Sequence, residues 1–465
     1  MKALTFFRSR ALVQTGICLV VGMVVCSTAE EKGGVTIGAA GWMNYNIIGN
    51  SSDTGNFAAR SDLNGRSSLS VGAQISMSTK PSERLNLSAA LGVAGGNTMP
   101  IATTLNSGYA PSGVDVYVAS AQFTYLFQNS EKSRISLTGG LFSYDYNPDV
   151  KNLGLYLLRG PVYPGILISG FETKYVLPVA NMLGLQLHHE MGGFKHDLLL
   201  SSEMEFYPFF DLSPAYVASY QVHPAFRIGA GVNFYHLIPV DSKLTSGVHG
   251  SAYQQWQYAD PSDTAGGKVP DTTKLSYNGT KVMANASFDP KPLFGGAGWL
   301  GSEDLKLYGE VALIGLDNSD AYKKIYGDYL HRMPVMVGFN LPVFKQLDHL
   351  SLEVEWYGSR NEDNLEGYRI VGESQPVSPY PTNWKLDPKT ENHYLARRSI
   401  RDNWKWSLHG ARMVQQHVSV SFQVANDHYR PGLFDGYADS NPPHRNAVLV
   451  TPKDWYLSTK LAYFF

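Results

Sequence analysis

The chain ends in the segment Trp455-Tyr456-Leu457-Ser458-Thr459-Lys460-Leu461-Ala462-Tyr463-Phe464-Phe465, in which apolar side chains recur at every second position. Among the residues that share a face with the terminal Phe465, Thr459 is the only polar one. Successive side chains of a β-strand point to opposite faces of the sheet, so a period of two is typical of a strand with one apolar face. We therefore predict that the chain ends in such a strand.

The same period of two recurs from residue 35 onward. In Leu350 to Tyr357, for example, Leu352 and Val354 alternate with Glu353 and Glu355. The other alternating segments are Ser67 to Ser78, Arg84 to Gly95, Val114 to Phe127, Arg134 to Tyr146, Gly165 to Val176, Ala225 to Leu237, Leu305 to Leu313 and His417 to Ala425. This pattern predicts an all-β chain.

The gaps between these segments alternate in length. Long gaps rich in Asn, Asp, Gly, Pro and Ser lie near 48–66, 96–113, 147–164, 238–280, 317–332, 360–402 and 430–452. Short turns separate them at Thr79 to Glu83, Gln128 to Ser133, Leu177 to Asn181, Gln221 to Pro224, Val343 to His349 and Val414 to Gln416. A soluble β-sandwich has no reason for this alternation, whereas a membrane β-barrel has short turns at one rim and long loops at the other.

The sequence therefore predicts a transmembrane, antiparallel, up-and-down β-barrel of about 16 strands. Residues 192–224 hold either one strand or three, which leaves 18 strands as the alternative. Composition agrees with this fold, because charged residues make up 17% of the chain and aromatic residues 12%, against about 25% charged residues in ordinary globular proteins. No apolar run is long enough to suggest a bundle of membrane helices. The net charge of −2 excludes a basic surface for nucleic acid.

The first 29 residues have the layout of a secretory signal peptide. Lys2, Arg8 and Arg10 precede an apolar run, which ends at the small residues Ser27-Thr28-Ala29. We predict that residues 1–29 are removed and that residues 30–465 form a single barrel domain. Both cysteines lie within the signal peptide, at positions 18 and 26, so disulfides and thiol chemistry are excluded for the mature chain.

The terminal segment resembles the assembly signal of outer-membrane proteins, with Tyr463 and Phe465 at the positions that the barrel-assembly machinery recognises. The mature chain as a whole resembles the porins in architecture, and Pro334 to Asn340 resembles parts of uncharacterised bacterial outer-membrane proteins. These resemblances imply a bacterial outer-membrane location, contacts with membrane lipid, and a homotrimer. They also imply passive or mildly selective diffusion of small polar solutes.

Polar side chains stand opposite the apolar face in the last six predicted strands. A lysine facing lipid at mid-depth costs about 2–4 kcal/mol, so these side chains are predicted to face the lumen. The candidates are Lys306, Glu310, Asn340, Glu353, Glu355, Lys405, His409, Gln423 and Lys460. The acidic members precede most of the basic ones along the wall, which predicts a transverse field that tunes ion selectivity. A merely solvated wall is the alternative.

The third long gap contains Leu153-Gly154-Leu155-Tyr156-Leu157-Leu158, and four leucines are costly to leave in water. In porins the third outer loop folds into the lumen and narrows it. The resemblance therefore implies a constriction here, with Asp149, Lys151 and Arg159 near it. An additional strand and an outer cap are the alternatives. Arg397, Arg398 and Arg401 are interpreted as a salt-bridged loop, with lipopolysaccharide binding as the alternative.

The sequence contains no motif for catalysis, for a cofactor or for a metal. His189-Glu190-Met191-Gly192-Gly193 lacks the second histidine of a zinc protease motif. His188 and His189 are adjacent on a predicted strand and face opposite sides, so they are not expected to share a metal. We therefore predict a porin-like channel and no enzyme. The alternatives are a structural or adhesive protein that acts through its long loops, and a transporter of hydrophobic solutes.

Overall fold

The fold is a closed β-barrel, seen in a computed structural model. Within the chain, it describes residues 31–32, 34–51, 64–97, 112–130, 132–158, 180–204, 210–240, 279–295, 298–316, 329–356, 404–427, 449 and 451–465. The strands in the first half are β1 (Glu31–Lys32), β2 (Val35–Asn50), β3 (Ser67–Ser82), β4 (Leu85–Asn97), β5 (Ser112–Asn129), β6 (Ser133–Tyr144), β7 (Ala180–Met191), β8 (Phe194–Ser202) and β9 (Leu212–His223). Those in the second half are β10 (Phe226–Tyr235), β11 (Gly279–Phe288), β12 (Leu307–Ile314), β13 (Val335–Asn340), β14 (His349–Trp356), β15 (Trp404–Val414), β16 (Val418–Asn426) and β17 (Trp455–Phe464).

Sixteen of these strands, β2 to β17, pair in chain order, and every pair is antiparallel. The last strand, β17, pairs with β2 from Trp455↔Asn50 to Phe464↔Ala40, which closes the barrel. The two-residue β1 adds only a short pairing to the start of β2. The predicted all-β antiparallel barrel of about 16 strands is confirmed, and closure leaves no unpaired sheet edge in the wall.

The two faces of the wall differ as the alternation predicts. Along β14, Leu352 and Val354 on the outer face are 40% and 38% exposed. Glu353 and Glu355 on the inner face are 1% and 0% exposed. Val116 on β5 is 81% exposed. Along these strands, apolar side chains thus lie on the outside of the barrel, and in β14 the polar ones point inward.

Short turns join the strands at one rim, which we call the short-turn end, and longer connections join them at the other, the long-loop end. At the short-turn end, the connection from β11 to β12 is longer than the others and contains a 3₁₀ helix, Lys291–Phe294. The buried carboxylate of Asp304 fixes it, because Oδ2 accepts hydrogen bonds from Gly301 N at 2.8 Å and Phe344 N at 3.1 Å. Among the described residues, no helix is long and apolar enough to cross a membrane.

The order of strands around residue 180 differs from the prediction. The predicted short turn at Leu177 to Asn181 is wrong for Ala180 and Asn181, because both belong to β7. Ala180 is paired with Tyr144 at the long-loop rim of the barrel. The predicted strand Gly165 to Val176 lies outside the described residues, and β6 pairs directly with β7. Residues 192–224 hold two strands, β8 and β9, where one or three were expected. The described strands β2 to β17 nevertheless number sixteen, as predicted.

Candidate functional site: an inward loop and its carboxylate anchors

The connection from β6 to β7 enters the barrel. Its described part, residues 145–158, is called the inward loop below. Leu153, Tyr156 and Leu157 in this loop are almost fully buried. They belong to one apolar cluster with Phe142, Tyr144, Tyr146, Leu158, Met182, Leu199, Ala215, Val217, Met283, Tyr308, Ala312, Ile314 and Met336. The four leucines of residues 153–158 therefore pack against the inner wall.

Local turns let the inward loop reverse inside the barrel. Asn147 N donates to Asp145 Oδ1 at 2.8 Å, and Leu158 N donates to Leu155 O at 3.2 Å. Gly154 has a φ of +85°, and a Cβ on it would lie 2.9 Å from Met336 Cε. Glycine adopts this backbone without strain and also lets the loop approach the wall closely.

Most of the loop's backbone N–H groups at its tip have no sheet partner, and buried N–H groups require acceptors. Glu353 on β14 supplies them. Its Oε1 accepts a hydrogen bond from Lys151 N at 2.6 Å, and its Oε2 accepts bonds from Asn152 N at 2.9 Å and Leu153 N at 2.8 Å. Tyr308 Oη donates to Oε1 at 2.9 Å. A single buried carboxylate thus satisfies three consecutive N–H groups through charge-assisted bonds.

Glu310 on β12 is the second anchor. Its Oε1 accepts hydrogen bonds from Tyr146 Oη at 2.6 Å and Tyr156 N at 2.8 Å, and its Oε2 accepts one from Asn147 Nδ2 at 3.0 Å. Tyr156 Oη donates to Glu355 Oε2 at 3.2 Å. Glu310, Glu353 and Glu355 together hold the loop against the wall formed by β12 to β14.

Ion pairs continue this contact toward the short-turn end. Asp149 pairs with Arg227 and, at 3.4 Å, with Lys306 Nζ, which also lies 2.7 Å from Glu303 Oε1. Lys151 Nζ lies 3.6 Å from Glu303 Oε2. Burial acts to lower the pKa of Lys306, but the carboxylates of Glu303 and Asp149 outweigh it and leave the pKa raised. Lys306 is therefore positively charged at neutral pH.

We expect Asp149→Asn to loosen the tip of the inward loop. The substitution leaves Arg227 and Lys306 close together without their shared carboxylate, and loss of a partly buried charged partner costs about 1–3 kcal/mol. Trypsin should then cleave after Lys151 several times faster than in the parent barrel. Asp348→Asn, which removes the partner of the exposed Arg412, is the matched control and should leave cleavage at Lys151 unchanged. Equal rates in all three proteins would contradict the prediction.

The predicted lumen residues occupy the inner side of the barrel in different surroundings. Glu310, Glu353 and Glu355 lie beneath the inward loop and are buried, not at a solvated surface. Lys405 is also buried, and its Nζ donates to Leu449 O at 2.7 Å. Lys306 precedes β12 and contacts the loop.

The four remaining lumen candidates lie on β13 and β15 to β17. Asn340 is buried and accepts a hydrogen bond from Ser351 Oγ at 2.6 Å. His409 Nδ1 lies 2.8 Å from His349 Nε2. Gln423 Nε2 donates to Asp427 Oδ2 at 3.1 Å, and Lys460 is half-buried on the inner face of β17. Most of the charged lumen candidates therefore form hydrogen bonds or ion pairs with other groups of the protein.

The remaining predicted residues are arginines of two predicted long loops and two aromatic residues at the end of the chain. Arg159 and the cluster Arg397, Arg398 and Arg401 lie outside the described residues. Tyr463 and Phe465 lie at the closing seam, where their rings are 4.6 Å apart and Phe465 N donates to Ala39 O at 2.8 Å. Their role as an assembly signal remains a prediction.

The histidines near the β7–β8 turn do not converge on one point. His188 Nδ1 lies 2.8 Å from Asp197 Oδ1, whereas His189 stacks on His196 with ring centroids 5.9 Å apart. His196 Nδ1 lies 2.6 Å from Tyr216 Oη, and Tyr216 is exposed on the outer face. Within the described ranges, no group of three or more His, Cys, Asp or Glu side chains could hold a metal ion.

No protein-family model matches the chain, and no curated protein matches it. Solved structures with a similar chain course include engineered forms of the porin of Rhodopseudomonas blastica. A triple mutant of it has 9% identity and a TM-score of 0.40, over 93% of this chain and 100% of that one. Another mutant has 10% identity and a TM-score of 0.39 over the same shares. At these values the likeness assigns neither a family nor a solute to this chain.

Proposed function

We propose that this chain is a porin-like channel of the bacterial outer membrane, through which small polar solutes diffuse passively. The observation that carries the proposal is the inward loop, whose described part lies inside a closed barrel and packs against its inner wall. Glu353 and Glu310 fix this loop at mid-wall. A barrel of this size has an interior too wide for wall side chains alone to fill, so the loop determines the free cross-section.

The two faces of the wall support the membrane location. Exposed apolar side chains such as Ile75, Leu91 and Val116 cover the outer face, where lipid would stabilise them. Aromatic rings cluster near the short-turn end, where Phe194 stacks on Tyr220 at 4.0 Å between centroids and Trp299 stacks on Phe344 at 5.5 Å. Such rings are typical of the headgroup region of a membrane.

The porin resemblance adds partners to this proposal. Membrane lipid would contact the outer wall, the barrel-assembly machinery would recognise Tyr463 and Phe465, and three copies would form a homotrimer. Cross-linking of the protein in native membranes tests the trimer. A species of three times the monomer mass is expected, and a monomer alone would contradict it.

Reconstitution of the mature chain into planar bilayers tests the proposed channel. We expect discrete conductance steps that scale with salt concentration, because the inner wall carries polar side chains and a barrel of this size is too wide for wall side chains alone to fill. Protein-free detergent is the control. A folded barrel that inserts into the bilayer and produces no steps would refute the channel and would favour a structural role.

A further inference from the structure

The described part of the inward loop lies mainly on one side of the lumen, and one side chain reaches further, because Asn152 Nδ2 donates to Asp427 Oδ2, just after β16, at 2.8 Å. The loop's apolar residues pack against the wall that runs from β6 to β13, and its backbone binds Glu310 and Glu353 on β12 and β14. On the opposite wall, formed by β17, β2, β3 and β4, inward side chains such as Asn44, Ser70 and Gln74 are only half-buried. Among the described residues, the more accessible inward polar side chains therefore lie along this second wall, which we call the open wall.

The open wall carries hydroxyl and amide side chains beside a buried apolar cluster of Trp42, Ala94 and Ala462. Ser458 Oγ donates to Asn44 Oδ1 at 3.0 Å, and Asn46 Nδ2 donates to Ser68 Oγ at 3.3 Å. Register places these residues side by side, because Asn44 is opposite Ser70 and Asn46 is opposite Ser68 and Ser458. The open wall thus presents neighbouring donors and acceptors to the lumen.

Charge is nearly absent from the open wall and concentrated on the other side. In β17, β2, β3 and β4, Lys460 is the charged inward residue in the middle of a strand within the described part of the chain, and Lys80 lies exposed near the short-turn end of β3. On the loop side, Glu310 and Glu353 are occupied by N–H and O–H donors, and Asp149 is paired with Arg227 and Lys306. Of the charges that were predicted to form a transverse field, Lys306, Glu310, Glu353 and Glu355 contact the inward loop and hold it in place.

We propose that the open wall is the solute path and that it favours uncharged, polyhydroxylated solutes over ions of similar size. This inference rests on the proposed channel and specifies its solute class. Hydroxyl and amide groups can replace the water that hydrogen-bonds to such a solute. An ion that loses water there meets almost no opposite charge to compensate, and desolvation of a charge is costly.

Liposome swelling and bilayer recordings on the mature full-length barrel test the inference together. Swelling should be several times faster with glucose than with gluconate or glucosamine, which match glucose in size and carry opposite charges. Under a potassium chloride gradient, the cation-to-anion permeability ratio should lie within about threefold of one. A slight preference for chloride is expected from Lys460, and Lys460→Gln should remove it.

A charge added to the open wall provides the decisive variant. Ser70→Asp should raise the cation-to-anion permeability ratio about fivefold, because a fixed charge acts on ions that pass within a few ångströms of it. Ser82→Asp, in an exposed turn at the short-turn end, is the matched control and should change the ratio much less. Gln74→Glu is a second variant, in case Ser70→Asp does not fold.

The outcomes separate this inference from the channel itself. Conductance steps with weak ion selectivity, faster swelling with glucose, and a shift caused by Ser70→Asp support it. Conductance steps with strong ion selectivity that neither open-wall variant alters would overturn the neutral path and leave the channel standing. A barrel that produces neither steps nor swelling would overturn both.

Discussion

Glu353→Ala is expected to raise the mean single-channel conductance and the open-channel noise of the reconstituted barrel. The substitution leaves the N–H groups of Lys151, Asn152 and Leu153 without their acceptor. Each buried donor that loses its partner costs about 1–3 kcal/mol. The combined cost of three such donors, about 3–9 kcal/mol, exceeds what the packing of Leu153 contributes, about 1.5–3 kcal/mol for a fully buried leucine, so the tip of the inward loop should leave the wall.

Glu353→Gln provides a graded comparison, because its amide oxygen still accepts hydrogen bonds while its amide N–H₂ faces other donors. We expect its conductance to lie between those of the parent and Glu353→Ala. Glu83→Ala, at an exposed turn, is the control for loss of a carboxylate and should match the parent. Folding is checked by the difference in migration between heated and unheated samples in gel electrophoresis. A folded Glu353→Ala barrel with unchanged conductance and noise would show that this carboxylate does not hold the loop.

Gly140→Ala is expected to prevent folding of the barrel or to lower its free energy of unfolding by about 3 kcal/mol or more. Gly140 lies on β6 with a φ of +112°, and a Cβ on it would lie 2.1 Å from Ala121 O on β5. Both the backbone angle and the close approach exclude a side chain. Because the clash is with backbone of a neighbouring strand, no side-chain rotation can relieve it.

Gly41→Ala is the matched control for Gly140→Ala. Gly41 also lies within a barrel strand, β2, but a Cβ on it would lie 3.9 Å from Gly72 O, which is an ordinary contact. We expect it to fold like the parent, with equal resistance to unfolding by urea. Equal urea midpoints for Gly140→Ala and Gly41→Ala would contradict the geometry described for β6.

The alternation of apolar and polar residues predicted most strands of the barrel, because this pattern depends only on residues that are close in sequence. The faces of Leu350 to Trp356 were predicted correctly, since a strand with lipid on one side and a polar interior on the other must alternate. The error near residue 180 has a different cause. Gly192 and Gly193 have φ values of +55° and +87° and form a two-residue hairpin between Met191 and Phe194. A Gly-Gly pair between alternating segments is a known hairpin signal, and it could have located this turn.

The site was predictable only in part. Alternation predicted that Glu310, Glu353 and Glu355 point inward, and the leucine content of residues 153–158 indicated that this segment avoids water. The contact between them could not be predicted, because Lys151 and Glu353 are 202 residues apart in sequence and no local pattern encodes such a pairing. A charged residue inside a barrel is compatible with a solvated wall or with a buried anchor, and only the position of the loop decides between them.

The position of the inward loop also constrains the order in which the barrel forms. Its anchors lie on β12 and β14, so the loop stays without its acceptors until more than half of the barrel has been added. Contacts of such large sequence separation form late and slowly. Docking of the inward loop on Glu310 and Glu353 is therefore expected to follow the pairing of β12 with β13 and of β13 with β14.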